Sequence, residues 1–330
     1  MTTKVYKALI VEERDQVYVR SVKTRAMDQL PDGELLIRVA YSSLNYKDAL
    51  SAIGNKGVTR KYPHTPGIDA AGIIEHSDTQ EFIKGDEVIV TGYDLGMNTD
   101  GGFGQYVRVP ATWAVKLPPG LTLKQAMVYG TAGFTAGISV TKLCEYVSPD
   151  AGEIVVSGAT GGVGSLSVAI LAKLGYRVVA VTGKSADHPF LRQLGASRIL
   201  SREALQDPGK KPLLQAQWAG GIDTVGGTML ENIIKSTRPL GVVTCCGNVA
   251  SPDLNLTVYP FILRGISLVG IDSQNYPMPS RINLWKKLAN EWKPEVLERL
   301  YTEISLEELD DCIAQMLAGR SKGRKVVNLQ

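Results

Sequence analysis

The sequence predicts an α/β protein in which a doubly wound parallel sheet is joined to a second, β-rich domain. Three observations carry this prediction. Short strand-like runs separated by turn signals fill the chain up to about residue 125. Strand-like and helix-like segments then alternate up to about residue 272, which is typical of βαβ units. A glycine cluster at residues 158–164 follows the first strand of that alternating part.

In the first part, turn signals such as Pro31-Asp32-Gly33 bound the apolar, strand-like runs. These runs predict strands at residues 5–11, 34–41, 71–75, 87–91 and 104–109. Residues 42–50 are polar and unlike a core strand.

The second part predicts helices at residues 123–129 and 130–146, then strands at 154–156, 177–181, 198–200, 222–225, 241–245 and 265–271. Helices are predicted between these strands at residues 165–174, 188–194 and 229–236, and after them at 280–292, 294–300 and 306–318 before a last strand at 325–329. We therefore expect a nucleotide-binding domain at residues 126–272. It is inserted into a substrate domain formed by residues 1–125 and completed by residues 273–330.

Composition excludes several classes of protein. The 330 residues carry 36 basic and 33 acidic side chains without a basic block, so no nucleic-acid partner is expected. The N-terminus does not resemble a signal peptide and apolar runs are too short to span a membrane, which favours a cytoplasmic location. The four cysteines form no C-x-x-C pair and lack a histidine at ligand spacing, so no metal site is expected.

The glycines at 158, 161 and 164 follow a G-x-x-G-x-x-G spacing rather than the usual G-x-G-x-x-G. A strand, this turn and a helix start would present free backbone N–H groups to a pyrophosphate. Thr160, Gly161, Gly162 and Val163 are the cofactor-binding candidates in the turn. A glycine-rich turn without a ligand remains the alternative.

The residues after the second strand favour NADPH over NADH. An NAD site usually places an acidic residue about 20 positions beyond the glycine motif. This chain has Thr182, Gly183, Lys184 and Ser185 there instead, which would suit a 2′-phosphate. Arg198, after the next helix, is expected to reach the same place. The alternative is that Lys184 is an ordinary solvated lysine.

Several stretches together resemble the zinc-free medium-chain dehydrogenases/reductases of the quinone-oxidoreductase-like branch, and within it the acrylyl-CoA reductase group. The resemblance covers nearly the whole chain and rests on residues 42–48, 66–72, 130–136, 158–164, 222–226 and 260–264. Zinc-dependent relatives carry a Gly-His-Glu motif and a four-cysteine lobe. Here Gly67-Ile68-Asp69 stands in the place of that motif, and the four-cysteine lobe is missing.

The resemblance implies a GroES-like substrate domain and a Rossmann domain with the active cleft between them. It implies that the nicotinamide lies near Asn45, Tyr46, Thr131 and Gly247. Ser273 and Arg324 are likewise implied to lie near the cofactor.

Reduction of an activated C=C bond needs a donor that polarises the carbonyl as the enolate forms. Tyr46 or Asn45 could donate that hydrogen bond, and Asp48 could relay a proton through water. The alternatives are that Tyr46 only packs against the cofactor and that Asp48 caps a turn, the latter being favoured. Asp69 and Asp223 are interpreted as structural.

The leading hypothesis is NADPH-dependent reduction of acrylyl-CoA to propanoyl-CoA without a metal. A quinone oxidoreductase with the same fold is the first alternative, and a non-catalytic NADPH-binding sensor or structural protein is the second. Four basic residues in the loops at 54–62 and 275–281 would suit a CoA phosphate: Lys56, Arg60, Lys61 and Arg281. Relatives pair through the strand at 265–271, so a homodimer is expected.

Overall fold

The computed structural model describes residues 4–207 and 211–330. These residues form two compact units. The first consists of Met1–Thr131, Gln274–Ala289 and Tyr301–Gln330, and the second of Ala132–Ser273 and Asn290–Leu300.

The regular elements follow one another along the chain in an order that changes from mostly strands to alternating strands and helices. In chain order they are β1 Val5–Arg14, β2 Val17–Ala26, β3 Leu35–Ser43, α1 Tyr46–Ala52, β4 Asp69–Ser77, β5 Glu87–Thr91, β6 Tyr106–Val109, β7 Ala114–Lys116, α2 Leu123–Cys144, β8 Glu153–Val156, α3 Gly162–Lys173, β9 Arg177–Val181, α4 His188–Gln193, β10 Arg198–Leu200, β11 Trp218–Asp223, α5 Gly227–Ser236, β12 Thr237–Cys245, α6 Tyr259–Arg264, β13 Ser267–Gly270, α7 Met278–Ala289, β14 Tyr301–Ile304, α8 Leu309–Leu317 and β15 Arg324–Asn328. Gly130 interrupts α2 with a non-helical backbone, so two helical pieces meet there.

The first unit is built on a seven-stranded sheet with the order β14-β15-β3-β4-β5-β7, to which β6 is added by pairing with β3. All pairs in this sheet are antiparallel except β14 with β15. β1 and β2 form a separate hairpin. The inward faces of the strands supply a core of aliphatic side chains with Phe82 and Phe103.

The second unit is a six-stranded parallel sheet with the order β10-β9-β8-β11-β12-β13. The order reverses between β8 and β11, because the chain moves outward from β8 to β10 and then returns to the other side. In such sheets, ligands bind beyond the carboxyl ends of the strands at the point of reversal. The glycine turn follows β8 and therefore lies at that point.

The α/β class, with a parallel sheet beside a β-rich part, is confirmed. The sequence missed β2, because the turn before it contains no glycine. Asp15 and Gln16 take the two positive-φ positions, at 49° and 66°, that a tight hairpin requires. The helix expected at residues 294–300 is only a short 3-10 turn at Leu297–Arg299. Within the described residues, no helix is both long enough and apolar enough to cross a bilayer.

Candidate active site

The glycine turn has the geometry that only glycine permits at two of its positions. Gly158 has a φ of +57°, and a β-carbon there would lie 2.3 Å from the Thr224 hydroxyl. A β-carbon on Gly164 would lie 2.3 Å from the Gly158 carbonyl oxygen. The start of α3 therefore packs directly on the end of β8.

The same turn leaves backbone donors at its open side. α3 begins at Gly162, so the N–H groups of Gly162 and Val163 have no acceptor within the helix. Thr160, immediately before, is buried, with 5% of its surface exposed. This arrangement of N–H groups at a helix start fits a pyrophosphate.

A neighbouring loop fixes the turn from the side of β11. The Ser157 hydroxyl donates to the Asp223 carboxylate at 2.6 Å, and the same carboxylate accepts the N–H of Gly226 at 2.7 Å. A β-carbon on Gly247 would lie 2.1 Å from the Thr224 carbonyl oxygen. Asp223 is thus a structural residue, as expected, and Gly247 is a position of close backbone approach.

Two of the expected cofactor residues follow the strands on the far side of β11. Gly247 comes after β12, and Ser273 comes after β13, where it is half-buried. Because the carboxyl ends of parallel strands meet at one edge of a sheet, both lie at the edge that carries the glycine turn.

The segment expected to bind a 2′-phosphate lies at this edge as well. Thr182 follows β9 and its hydroxyl accepts the N–H of Lys184 at 3.1 Å, which shapes the turn. Gly183 and Ser185 are exposed. A cation that was not predicted from the sequence also lies beside this turn: a β-carbon on Gly183 would lie 2.9 Å from Arg202 Nε.

Arg198 is not where it was expected. It begins β10 opposite Val179, so about three residues of strand, roughly 10 Å, separate it from Thr182. Its Nη2 donates to the Glu153 carboxylate at 2.7 Å, at the amino end of β8. The predicted strand at residues 198–200 already distinguishes Arg198 from Arg202. In a parallel sheet the residue after a strand, here Arg202 after β10, lies at the ligand edge, whereas the residue that begins the strand does not.

In the first unit, one buried carboxylate organises the residues implied to lie near the nicotinamide. Asp69 is fully buried and accepts hydrogen bonds from the Ser43 hydroxyl at 2.6 Å and the Asn45 amide at 2.7 Å. It also accepts the hydroxyl and N–H of Thr131, at 2.6 Å and 2.9 Å. Gly130 makes this approach possible, since a β-carbon there would lie 2.4 Å from the carboxylate.

Arg324 completes this buried cluster. Its guanidinium is 2% exposed and lies 3.8 Å from the Asp69 carboxylate. It donates to the Ser43 hydroxyl at 2.8 Å, the Asn45 side-chain oxygen at 3.2 Å and the Val128 carbonyl at 3.0 Å. Arg324 therefore positions Asn45 from behind rather than presenting its charge to a ligand.

These contacts show which of the two candidate hydrogen-bond donors, Asn45 and Tyr46, is available to a substrate. Both hydrogens of the Asn45 amide are used, by Asp69 and by the Ser43 carbonyl at 3.1 Å, and its oxygen accepts from Arg324. Tyr46, the first residue of α1, is 40% exposed, and its hydroxyl makes no hydrogen bond with any of the described residues. The geometry leaves Tyr46 as the available donor.

Asp48 has the structural role that was favoured for it. Its carboxylate is fully buried and accepts the N–H of Asn45 at 2.8 Å and of Ile68 at 2.8 Å. Burial, supported by the nearby charge of Asp69, raises the pKa of Asp48 to about 7, although the N–H donors lower it. A group enclosed in this way fixes the start of α1.

Two of the basic residues assigned to a CoA phosphate are engaged elsewhere. Arg281 lies in α7 with 1% of its surface exposed and donates to the Thr91 carbonyl at 2.9 Å. Its guanidinium stacks 4.7 Å from the Tyr93 ring centroid. Lys56 donates to Glu13 at 2.8 Å. The expectation that Arg281 contacts a phosphate is wrong, because the side chain is part of the core.

The residues present do not fit a catalytic zinc ion. Where zinc-dependent relatives carry Gly-His-Glu, this chain has Asp69, whose oxygens are taken by hydroxyl and N–H donors. Among the described residues, no group of three His, Cys, Asp or Glu side chains is arranged to hold a metal.

Both units match family models for alcohol-dehydrogenase-type oxidoreductases. Residues 31–119 match the alcohol dehydrogenase GroES-like domain, and residues 162–291 match the zinc-binding dehydrogenase model. A putative quinone oxidoreductase, YhfP of Bacillus subtilis, is 44% identical over 98% of this chain and 99% of its own. The acrylyl-CoA reductase AcuI of Ruegeria pomeroyi is 40% identical over the same shares of both chains.

Solved structures agree with this assignment. The yhdH oxidoreductase from Salmonella enterica in complex with NADP has a TM-score of 0.96 and 40% identity, covering 98% of this chain and 100% of that one. Bacillus subtilis yhfP with NAD bound has a TM-score of 0.96 and 43% identity, covering 99% and 100%. The chain belongs to the medium-chain dehydrogenase/reductase family, in the branch that includes these quinone oxidoreductase-like and acrylyl-CoA reductase-like proteins.

The raised pKa of Asp48 predicts a specific pH dependence of stability. An unfolded Asp titrates near 3.9, whereas the folded Asp48 titrates near 7. Between these values the folded state keeps a proton that the unfolded state releases, so the free energy of unfolding falls as the pH rises. We expect the difference between wild type and Asp48→Asn to fall from pH 4 to pH 7, by at most about 1.4 kcal/mol per pH unit.

Urea unfolding at half-unit pH steps would measure this difference. Asp86→Asn is the matched control, because Lys116 lowers the pKa of Asp86 and its contribution is lost only as the pH falls. A wild-type minus Asp48→Asn difference that stays flat or rises with pH would contradict the prediction.

Proposed function

We propose that the protein is an oxidoreductase that reduces an activated C=C bond with NADPH, with acrylyl-CoA to propanoyl-CoA as the reaction it supports best. The observation that carries the proposal is the contrast between two adjacent residues: Tyr46 is exposed and its hydroxyl has no hydrogen-bond partner in the described parts of the chain, whereas the side chain of Asn45 is fully hydrogen-bonded. Relatives of nearly equal length, named acrylyl-CoA reductase, support the substrate class.

Bound NADPH would supply the hydride for the β carbon, and a proton from solvent would complete the reduction at the α carbon. The protein would supply the polar environment for the developing enolate. The Tyr46 hydroxyl donates a hydrogen bond to the thioester carbonyl oxygen, which lowers the barrier because negative charge builds up there. Asp69 and Arg324 act as positioning residues, since they fix the residue immediately before Tyr46. Asp48 fixes the start of the same helix and is not the donor to the substrate.

NADPH is preferred over NADH because the edge of the second unit that follows β9 is basic and lacks an acidic residue next to Thr182. The 2′-phosphate of NADPH would be bound by Thr182, the backbone at Gly183, Lys184 and Arg202. The yhdH structures with NADP support this choice, whereas the yhfP structure contains NAD.

Arg202→Ala should raise the KM for NADPH about 10- to 100-fold and leave the KM for NADH within about 2-fold, because a charge-assisted contact with a phosphate contributes about 1.5–3 kcal/mol. Arg198→Ala is the matched control. Its guanidinium pairs with Glu153 at the other edge of the sheet, so neither KM should change. Steady-state kinetics with both cofactors would test this, and equal effects of Arg202→Ala on NADPH and NADH would refute the role of Arg202.

Tyr46→Phe should lower kcat for acrylyl-CoA about 100- to 1000-fold, the loss typical of removing one donor to an oxyanion. The KM for NADPH should stay the same, since only the hydroxyl is lost. Tyr146→Phe, at a tyrosine that is 51% exposed, serves as the control for the substitution itself. Full activity of Tyr46→Phe would make Tyr46 a packing residue.

The proposal as a whole is tested by oxidation of NADPH with acrylyl-CoA, crotonyl-CoA and a series of 1,4-quinones. We expect the highest kcat/KM with acrylyl-CoA. If only quinones are reduced, the quinone oxidoreductase alternative is favoured. The relative YhfP, named a putative quinone oxidoreductase, supports that alternative. Tight NADPH binding without turnover of any acceptor would leave a non-catalytic NADPH-binding protein.

We also propose that the protein acts in the cytoplasm as a metal-independent homodimer. β13 is the edge strand of its sheet, and α6 carries exposed apolar side chains just before it, including Ile262 and Leu263 at 67% and 63% exposure. An open edge beside apolar surface favours pairing with a second copy.

A further inference from the structure

We propose that Arg60 and Lys61 form the phosphate-recognition element for the CoA part of the substrate, and so determine the preference for acyl-CoA thioesters over uncharged acceptors. This inference rests on the proposed function, because it assigns the part of the substrate that does not react. It starts from the segment at residues 54–62, which follows directly on α1, the helix that begins with Tyr46.

Of the three cations in this loop, Lys56, Arg60 and Lys61, the fold leaves only two available to bind a ligand. Lys56 donates to Glu13 and lies 4.8 Å from the Tyr62 ring centroid and 5.3 Å from that of Tyr18. Arg60 and Lys61 are exposed, and neither side chain makes a hydrogen bond or an ion pair with any described residue. Two adjacent cations without acidic partners are suited to an anion from outside the protein.

The backbone that carries these cations is well fixed. The Ser51 and Thr59 hydroxyls share a hydrogen bond of 2.7 Å, and the Tyr62 hydroxyl donates to the Ser51 carbonyl at 2.6 Å. The N–H of Arg60 donates to the Asn98 side chain at 3.2 Å. Since the loop on either side of Arg60 is fixed, a bound phosphate would cost little ordering of the main chain.

The position of the pair also suits a long substrate. Ser51 is five residues after Tyr46 in α1, roughly 7.5 Å along the helix axis. The contacts of Ser51 with Thr59 and Tyr62 therefore place Arg60 and Lys61 near the end of α1 that is away from Tyr46. In CoA the pantetheine arm likewise separates the reacting thioester from the diphosphate and the 3′-phosphate. A thioester at Tyr46 would therefore have its phosphates at a distance from that residue, as Arg60 and Lys61 are. A quinone has neither the arm nor the charges.

The test compares Arg60→Gln, Lys61→Gln and the double variant with two thioesters, acrylyl-CoA and the acrylyl thioester of N-acetylcysteamine, which has no phosphate. Each single variant should raise the KM for acrylyl-CoA about 5-fold and the double variant about 20-fold, with kcat within 2-fold. The KM for the truncated thioester and for NADPH should not change. Raising the salt concentration should reduce the wild-type advantage, since these charges are exposed.

Lys84→Gln is the matched control, because it removes one charge from another exposed turn of the same unit, and all constants should stay at wild-type values. A wild-type KM for acrylyl-CoA in the double variant would overturn the inference, as would an equal rise with the truncated thioester or a rise in the KM for NADPH.

Failure of the proposed function gives a different result. If wild-type protein reduces no acyl-CoA, calorimetric titration with free CoA still tests the site. Binding that weakens about 20-fold in the double variant, but not in Lys84→Gln, would support phosphate recognition. Absence of CoA binding to the wild type would refute it.

Discussion

The buried carboxylate of Asp69 is the constraint on which the candidate site in the first unit depends. It accepts hydrogen bonds from three residues that are distant in sequence, Ser43, Asn45 and Thr131, and lies 3.8 Å from the Arg324 guanidinium. A buried ion pair contributes little net stability, yet removing one partner costs about 3–5 kcal/mol because the other charge is left uncompensated. The arrangement is therefore better understood as a device that fixes geometry than as a source of stability.

This constraint also explains how adjacent residues take different roles. Asn45 spends every polar atom of its side chain on Asp69, Ser43 and Arg324, so it cannot serve a ligand without breaking a buried contact. Tyr46 follows directly on this fixed backbone, and its hydroxyl makes no hydrogen bond with any residue that the structure describes. Pre-organised donors of this kind are effective because they need no rearrangement as charge develops.

Sequence patterns predicted those features of the fold that depend on residues close together in the chain. The alternation of strands and helices gave the parallel sheet, and the glycine spacing gave the turn, because Gly158 and Gly164 are positions where a β-carbon would collide with the backbone or a neighbouring side chain. The different roles of the residues around Asp69 could not be predicted, since its partners come from three separate segments of chain and no spacing rule connects them. Proximity to motifs suggested Arg198, but strand direction decides which cation reaches the ligand edge, and it selects Arg202.

The same reasoning separates charges that bind ligands from charges that stabilise the protein. Arg281 and Lys56 belong to loops expected to contact substrate, but one is buried against Tyr93 and the other is neutralised by Glu13. These contacts must be broken before either charge can bind a phosphate, and that cost cancels much of the gain. Cations that the fold leaves without acidic partners carry no such cost. Specificity for a charged substrate is therefore expected at cations such as Arg60 and Lys61, which have no acidic partner among the residues that the structure describes.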